Sequence, residues 1–336
     1  TSSVIFDLTA SDSTEASVST SSLTFNSSNW NQAQTVTVSG VDDPIRDELV
    51  NSEVAVVINQ SGTDDKKYAA LSSKSVSVST SDDEGNPIVS VATSANSMDE
   101  SGGQATLTVK QDVVAVTDTK VTLGTSGTAT SNADYALSST SLTIPAGSRE
   151  VTTTLQAISD HIDEAVEKVG VSINSVSGGN GAEAGGTQIE VAINDDDTAG
   201  FSVVESGSTS VTEAGSTDIF TVVLGTQPIN NVIFSLSSSD TGEATVSPST
   251  LTFTEKNWSS PKTLTITGVD DTFNDGDITS TARISINTVS TLDSTYGALS
   301  SKTVSVTTID NDDAPTVTLS SSSSSVTEGN SGTKDV

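Results

Sequence analysis

Carboxylates crowd into a short segment near the end of the chain. "TLTITGVDDTFNDGD" (263–277) begins as an alternating strand pattern and ends in four aspartates, Asp270, Asp271, Asp275 and Asp277. An EF-hand loop fits Asp271, Asp275 and Gly276 at positions 1, 5 and 6, but it fails at position 3, which is Phe273. Position 12 is Ala282, where that loop requires a bidentate glutamate. The flanks also alternate with period two, so the acids need another explanation.

The same acidic pattern occurs three times. "VDDPIRDE", "ISDHIDEAVE" and "VDDTFNDGD" each contain an aspartate, an apolar residue two positions later and an acid four positions later. The three sets are Asp43, Ile45 and Asp47; Asp160, Ile162 and Glu164; and Asp271, Phe273 and Asp275. Asp42 and Asp270 precede the first and third sets. Acids that keep their place while their neighbours change are expected to be positioned for binding.

Two further acidic landmarks recur with the loops. A glutamate precedes a Gly-rich turn at Glu100, Glu213 and Glu328. Acids also cluster some 35 to 40 residues after each loop, at Asp82, Asp83 and Glu84; at Asp195, Asp196 and Asp197; and at Asp310, Asp312 and Asp313. The three landmarks together indicate one acidic constellation per repeat.

Converging carboxylates require a cation. Two carboxylates about 4 Å apart repel by ~4 kcal/mol at an effective dielectric near 20, whereas a whole domain is stable by only ~5–15 kcal/mol. Many oxygen ligands, with Asn side chains and Gly turns nearby, suit Ca²⁺ better than Mg²⁺, which keeps its waters. The alternative is that each acidic run is a solvated loop that keeps the sheet soluble and blunts its edges.

Composition restricts the class of protein. The 336 residues carry a formal net charge of −31, which disfavours nucleic acid and anionic lipid as partners and favours cations. There is no cysteine, so disulfides and thiolate metal sites are not available. No apolar run approaches the ~18 residues of a membrane span. The chain begins without Met or a signal peptide and stops within a recurring pattern, so we expect a fragment of a longer protein.

The elements that must position these acids are predicted to be strands. Segments such as "ATLTVK", "SLTIP" and "TVSVTT" alternate, are rich in Val, Ile, Leu and Thr, and are separated by Gly, Asn and Asp turns. "HIDEAVEKVGVSI" alone has a helical look, yet its valines also fit a strand after a loop. Many short strands between turns indicate an antiparallel β-sandwich rather than a disordered acidic tract.

The chain contains an internal repeat. The segment from Val4 aligns without a gap with the segment from Val232, at an offset of 228 that pairs Phe25 with Phe253 and Trp30 with Trp258. Half of this offset is 114, and a further unit lies between the two. We predict an incomplete repeat lacking its first strand (1–84), two full repeats (85–198 and 199–313) and the start of a fourth (314–336).

These residues resemble the Calx-beta domain of sodium/calcium exchangers and of large bacterial surface proteins. The middle repeat carries the pattern most fully, in Glu100, "GTATSNADY" (127–135), "SLTIPAGS", "SDHIDEAVE" and "NDDD". The resemblance implies an all-β fold of tandem immunoglobulin-like Greek-key sandwiches, about seven strands each, in an elongated array with Ca²⁺ at one end of each sandwich.

The resemblance also implies ligands by position. In the middle repeat they are Glu100, Asp134, Asp160, Glu164, Glu167, Asp195, Asp196 and Asp197. In the third they are Glu213, Asp270, Asp271, Asp275, Asp277, Asp310, Asp312 and Asp313; no residue clearly replaces Asp134, and Asp240 is a guess. In the first, which lacks the opening glutamate, the candidates are Asp42, Asp43, Asp47, Asp82 and Asp83.

The sequence therefore predicts a calcium-binding spacer of a large extracellular, adhesin-like protein. The expected partners are calcium ions and neighbouring repeats of the same monomeric chain, without nucleic acid, membrane insertion or catalysis. A solitary His161 and acids repeated once per unit argue against an active site, which is usually single. Two alternatives stay open: an adhesion module that binds a glycan or protein, and a calcium-sensing regulatory domain as in the exchangers.

Overall fold

The computed structural model describes residues 2–205, 207 and 209–320, and these are almost entirely strands. The predicted Glu328 and most of the predicted fourth repeat (314–336) lie outside the described residues. The chain forms two compact units: the first comprises the chain up to Asp160 together with Ala165–Asp195, and the second comprises His161–Glu164 and the chain from Asp196. No helix among the described residues is long and apolar enough to cross a membrane.

The first repeat is a partial sandwich. Its elements are β1 (Val4–Ala10), β2 (Ala16–Val18), β3 (Ser22–Phe25), β4 (Val38–Gly40), β5 (Ile45–Arg46), β6 (Leu49–Ile58), the one-turn helix α1 (Lys66–Ala69) and β7 (Lys74–Ser81). One sheet has the order β3-β1-β6-β7, and β2 pairs with β4.

The middle repeat is a complete sandwich of two five-stranded sheets. Its strands are β8 (Ile88–Thr93), β9 (Ser97–Asp99), β10 (Gln104–Gln111), β11 (Val114–Ala115), β12 (Thr119–Gly127), β13 (Tyr135–Leu137), β14 (Ser141–Ile144), β15 (Glu150–Ala157), β16 (Glu167–Gly178), β17 (Glu183–Ala184) and β18 (Gln188–Asn194). The sheet orders are β13-β15-β10-β8-β17 and β14-β12-β16-β18-β9. The ambiguous "HIDEAVEKVGVSI" is thus loop followed by strand, as its valines predict.

The third repeat is also a two-sheet sandwich, with one four-stranded and one five-stranded sheet. Its elements are β19 (Phe201–Glu205), β20 (Ser210–Thr212), β21 (Thr217–Leu224), β22 (Val232–Ser238), β23 (Ala244–Ser247), β24 (Thr250–Phe253), β25 (Lys262–Gly268), β26 (Ile278–Ile286), the one-turn helix α2 (Ser294–Gly297) and β27 (Lys302–Ile309). The sheets have the orders β19-β21-β25-β23 and β20-β27-β26-β22-β24. The fold is the predicted all-β array of tandem immunoglobulin-like sandwiches.

Each complete sandwich is closed by a parallel pair between an early and a late strand. β20 pairs with β27, bringing Thr212 opposite Ile309, and β9 pairs with β18, bringing Asp99 opposite Asn194. The remaining long pairs are antiparallel, for example β26 with β27. Because parallel neighbours end at the same sheet edge, the chain leaves β20 and β27 at one end of the sandwich.

The alternation of the strands places one face in the core, as expected for half-buried strands. In the third repeat Phe220, Phe234 and Phe253 are buried, and the ring of Phe234 makes edge contacts with Phe201 and Phe253. A separate apolar core, which includes Leu107, fills the middle sandwich. These cores hold the strand ends, and therefore the acidic loops, in fixed positions.

The first repeat lacks more than its predicted first strand. It aligns with the third repeat from β22 onward, so the described residues contain no counterpart of β19, β20 or β21 in that repeat. Without these strands Trp30 is 71% exposed, whereas Trp258 packs against the core of the third repeat. An open groove of about 370 Å³ beside Phe6, Phe25 and Trp30 marks the same region.

Candidate metal centre

Four strand ends bring the acids of the third repeat together. Glu213 directly follows β20, Asp310 directly follows β27, and Asp270 and Asp271 follow β25 within a few residues. Glu243 directly precedes β23. The fold gathers acids from the three acidic landmarks of the sequence, together with Glu243, into what we call the third cluster: Glu213, Glu243, Asp271, Asp275, Asp310 and Asp312.

The third cluster contains two groups of closely spaced carboxylates. Oxygens of Glu213, Glu243 and Asp275 lie within 4.8 Å of one another, and so do oxygens of Glu213, Asp310 and Asp312. Glu213 is 1% exposed and Glu243 is 7% exposed. Glu213 belongs to both groups, so it lies at the centre of the cluster.

Backbone N–H groups fix the loops around Asp310 and Glu213. Gly276 N donates to Asp310 Oδ2 at 2.8 Å, and Asp312 N donates to Asp310 Oδ1 at 2.8 Å. Asn311 N donates to Glu213 Oε2 at 3.3 Å. Gly276 has φ +80°, in the left-handed region that glycine adopts without strain, which allows its N–H to reach Asp310. The acidic loop and the residues after β27 are therefore tied to each other.

Burial without a counter-charge shapes the electrostatics of the third cluster. Burial, reinforced by neighbouring carboxylates, raises the pKa of Glu213, Glu243 and Asp312. The ion pairs Arg46–Asp82 and Lys168–Glu190 lie outside the third cluster, and no Lys or Arg among the described residues pairs with its acids. The arrangement suits a bound cation, which would remove the repulsion.

Two buried oxygens support this fit. Glu243 Oε2 and Asp312 Oδ2 are buried and have no hydrogen-bond partner among the described residues. A buried, unsatisfied carboxylate oxygen is costly, and metal coordination is one of the few ways to satisfy it. Several carboxylates on irregular loops match the hard, numerous oxygen ligands of Ca²⁺.

Glu243 was missed by the sequence reasoning. The expected replacement for Asp134 was Asp240, but Asp240 Oδ1 accepts a hydrogen bond from Gly242 N at 3.0 Å and so stabilises a turn. Glu243, three residues later, joins Glu213 instead. A signal existed: the offset of 228 pairs Glu243 with Glu15, each directly before a short strand.

Asp271 of the third cluster and the remaining predicted ligands of this repeat, Asp270, Asp277 and Asp313, belong to neither close group of carboxylates. Asp277 Oδ1 accepts a hydrogen bond from Asp310 N at 3.3 Å, and the charge of Asp270 contributes to the raised pKa of Asp312. Asp271 Oδ1 accepts from Phe273 N at 2.7 Å, which shapes the loop.

The middle repeat gathers Glu100, Asp160 and Asp195. Glu100 is 5% exposed and accepts a hydrogen bond from Asp160 N at 2.7 Å. Burial, followed by the contact with Asp195, raises the pKa of Glu100 to about 7. Asp134 and Glu167 also place carboxylate oxygens within 4.8 Å of each other. The first unit thus contains five of the eight predicted ligands, in two groups: Glu100 with Asp160 and Asp195, and Asp134 with Glu167.

The other three predicted ligands of the middle repeat, Glu164, Asp196 and Asp197, belong to the second unit. There the neighbouring Asp163 accepts a hydrogen bond from Ala199 N at 2.7 Å through Oδ2. This contact ties the short segment 161–164 to the beginning of the third repeat.

The first repeat forms a corresponding cluster that contains an arginine. Carboxylate oxygens of Asp42, Asp83 and Glu84 lie within 4.8 Å of one another beside a cavity of about 30 Å³. Glu15, 8% exposed, faces the same cavity with Asp43 and Asp47, and burial together with Asp47 raises its pKa. Asp82 is paired with Arg46 Nη1 at 2.5 Å. We call these acids the first cluster.

Comparison with known proteins identifies the same family twice. A sequence model of the Calx-beta domain matches residues 82–197 and 195–312, which is more than half of the chain. A search of curated protein sequences found no match.

Solved structures show similarity at low identity. The CBD12 fragment of CALX1.2 is 19% identical over 58% of this chain and 79% of that one, with a TM-score of 0.29. The apo form of the Calx CBD1 domain is 21% identical; the match covers 32% of this chain and 98% of that domain, with a TM-score of 0.27. The S-layer protein SbsC is 15% identical; the match covers 94% of this chain and 36% of that chain, with a TM-score of 0.27.

Proposed function

The chain belongs to the Calx-beta domain family, and from that premise we propose that it is a calcium-binding structural spacer of a large extracellular, adhesin-like protein. Calcium ions at the ends of the sandwiches would stiffen the array. Calx-beta domains are calcium-binding modules rather than catalysts, and calcium is abundant outside cells, so moderate affinity suffices.

One observation supports calcium binding most directly. Glu213 and Glu243 are both buried, their oxygens lie within 4.8 Å of each other and of Asp275, and none of the described Lys or Arg residues pairs with them. Ionised carboxylates this close together repel one another, and a divalent cation that bridges them replaces the repulsion with attraction.

The position of the acids supports the spacer role. Asp310 and Asp312 belong both to the third cluster and to the segment that follows the last strand of its sandwich. An ion bound by Glu213 and these aspartates would tie that segment to the body of the sandwich. We therefore expect calcium to restrict the motion of the residues that leave each repeat.

Thermal unfolding with calcium, magnesium or chelator tests calcium binding. Calcium at a hundred-fold excess over its Kd should raise the free energy of unfolding of the third sandwich by about 2.7 kcal/mol. Magnesium at the same concentration should stabilise it much less. Glu243→Gln should lose most of this response, whereas Glu255→Gln, an exposed position in the same sandwich, should keep it. An unmodified chain whose melting temperature does not change with calcium would contradict the proposal.

Small-angle scattering with calcium and with chelator tests the spacer role separately. We expect the maximum dimension to change and the profile to indicate a stiffer chain when calcium is present. Calcium binding without any change in the scattering profile would leave a calcium-binding module but would remove the stiffening role.

A further inference from the structure

Arg46 pairs with one acid of the first cluster, whereas no Lys or Arg in the described part of the chain pairs with the third cluster. The offset of 228 places Arg46 opposite Asn274, and the same position of the middle acidic loop is Asp163. Asn274 Nδ2 donates to the carbonyl of Asp312 at 2.6 Å. The arginine is therefore specific to the first of the three loops.

Arg46 contacts a carboxylate whose counterpart belongs to the third cluster. Its Nη1 lies 2.5 Å from Asp82 Oδ2, and the Asp82 side chain is only 3% exposed. Asp82 corresponds to Asp310, which groups with Glu213 and Asp312. The guanidinium thus pairs with a carboxylate whose counterpart in the third repeat groups with two other acids.

The backbone around this carboxylate is the same in both repeats. Glu48 N donates to Asp82 Oδ2 at 3.1 Å, as Gly276 N does to Asp310 Oδ2 at 2.8 Å. Glu48 has φ +72° and Gly276 has φ +80°. Because the loops have equivalent geometry at this carboxylate, the two clusters differ there by the side chain of Arg46, and the first cluster also has no counterpart of Glu213.

Arg46 also lies at the joint between the first and middle repeats. Its strand β5 pairs in parallel with β11, with Ile45 opposite Val114 and Arg46 opposite Ala115. Val114 and Ala115 are buried. One residue therefore connects the acidic loop, the segment after β7 and the following sandwich, all within the first unit.

We propose that Arg46 is a built-in counter-cation that takes the place of part of the bound calcium in the first cluster and holds this joint without metal. An arginine stays charged at all physiological pH values, and its planar fork suits carboxylates. The first joint would then be constitutive, while the third cluster would depend on calcium. The calcium dependence of the third cluster rests on the function proposed above.

Hydrogen–deuterium exchange on the full chain resolves the two clusters separately. In chelator, residues 41–49 should be protected and residues 269–279 should exchange; calcium should slow exchange mainly in the latter. Arg46→Asn, which installs the residue of the third repeat, should raise exchange of 41–49 in chelator by about ten-fold. Calcium should restore its protection.

The reciprocal change, Asn274→Arg, should protect residues 269–279 in chelator and weaken their response to calcium. Arg149→Asn, an exposed arginine in the first unit, controls for loss of a positive charge. Arg46→Lys keeps the positive charge but removes the planar guanidinium, so exchange of residues 41–49 in chelator should lie between that of the unmodified chain and that of Arg46→Asn.

Unchanged exchange of residues 41–49 in Arg46→Asn would overturn the proposal, and so would a loss of protection that calcium fails to restore. If calcium does not change the exchange of residues 269–279 in the unmodified chain, the proposed calcium-binding function is contradicted. The role of Arg46 in holding the joint is then still decided by residues 41–49 in chelator.

Discussion

Tyr68 and Tyr296 occupy equivalent positions 228 residues apart but have opposite environments. Tyr68 is 49% exposed, whereas Tyr296 is 1% exposed and its hydroxyl donates to the carbonyl of Thr226 at 2.7 Å. Thr226 follows β21, and the described residues of the first repeat contain no counterpart of that strand. The comparison shows that equivalent segments of different sequence form the same one-turn helix, while burial is set by strands from elsewhere in the chain.

The largest expected difference concerns the core phenylalanines. Phe234→Ala should destabilise the third sandwich by about 3–5 kcal/mol, because Phe234 is fully buried. Phe6→Ala, the equivalent change, should cost much less, since Phe6 borders an open groove. Urea unfolding can follow the two repeats separately in variants that keep only one tryptophan, Trp30 in the first repeat or Trp258 in the third. Equal losses would show that the first repeat is packed as tightly as the third.

A second difference concerns calcium. Asp271→Asn should remove most of the roughly 2.7 kcal/mol that a hundred-fold excess of calcium over Kd gives the third sandwich. Asp43→Asn, the equivalent change, should have a smaller effect, because Arg46 already neutralises part of the first cluster. Calcium titration of the Trp258 and Trp30 unfolding transitions measures both. Full retention of the calcium response in Asp271→Asn would support the alternative interpretation, in which the acidic run is a solvated loop that binds no ion.

A third, smaller difference isolates the tyrosine hydroxyl. Tyr296→Phe should cost about 1–3 kcal/mol, because it leaves the N–H and carbonyl of Thr226 with fewer partners in a buried site. Tyr68→Phe should be close to neutral. Unfolding midpoints of the two variants in urea provide the test, and a measurable loss in Tyr68→Phe would reveal a contact that its exposure does not suggest.

The last expected difference is a pH dependence in the middle repeat. Burial raises the pKa of Glu100 from 4.5 to about 7, so the folded, calcium-free protein binds this proton more tightly than the unfolded chain. Its contribution to stability should therefore fall as pH rises from about 4.5 to about 7 and then level off. Calorimetry in chelator should show that Glu100→Gln flattens this slope relative to the unmodified chain. An identical slope in both proteins would assign the titration to other acids.

Much of the fold is visible in the sequence because period-two alternation and the offset of 228 act locally. The strand "TLTITG" became β25, and the helical-looking segment after Asp160 became a loop followed by β16. The recurring acids converge because the fold brings the ends of β20, β25 and β27 together. The positions of ligands in the middle repeat rested on the family resemblance rather than on periodicity.

Other features could not be predicted from local patterns. Glu243 is a single acid outside any acidic run, and only burial next to Glu213 reveals its place. The pairing of β5 with β11 joins residues about 70 positions apart, and two-residue strands have no periodicity. The pairing of Arg46 with Asp82 likewise depends on how two loops approach each other.

The parallel pairing of β20 with β27 has a consequence for how the chain is made. Ser210 lies opposite Thr307, so the third sandwich cannot close until nearly a hundred further residues have been synthesised. Contacts of such long range form slowly, and nascent domains fold largely as units. Glu213 and Asp310 follow these two strands, so they meet only in this closing event. An ion that binds them therefore acts on the last step of folding.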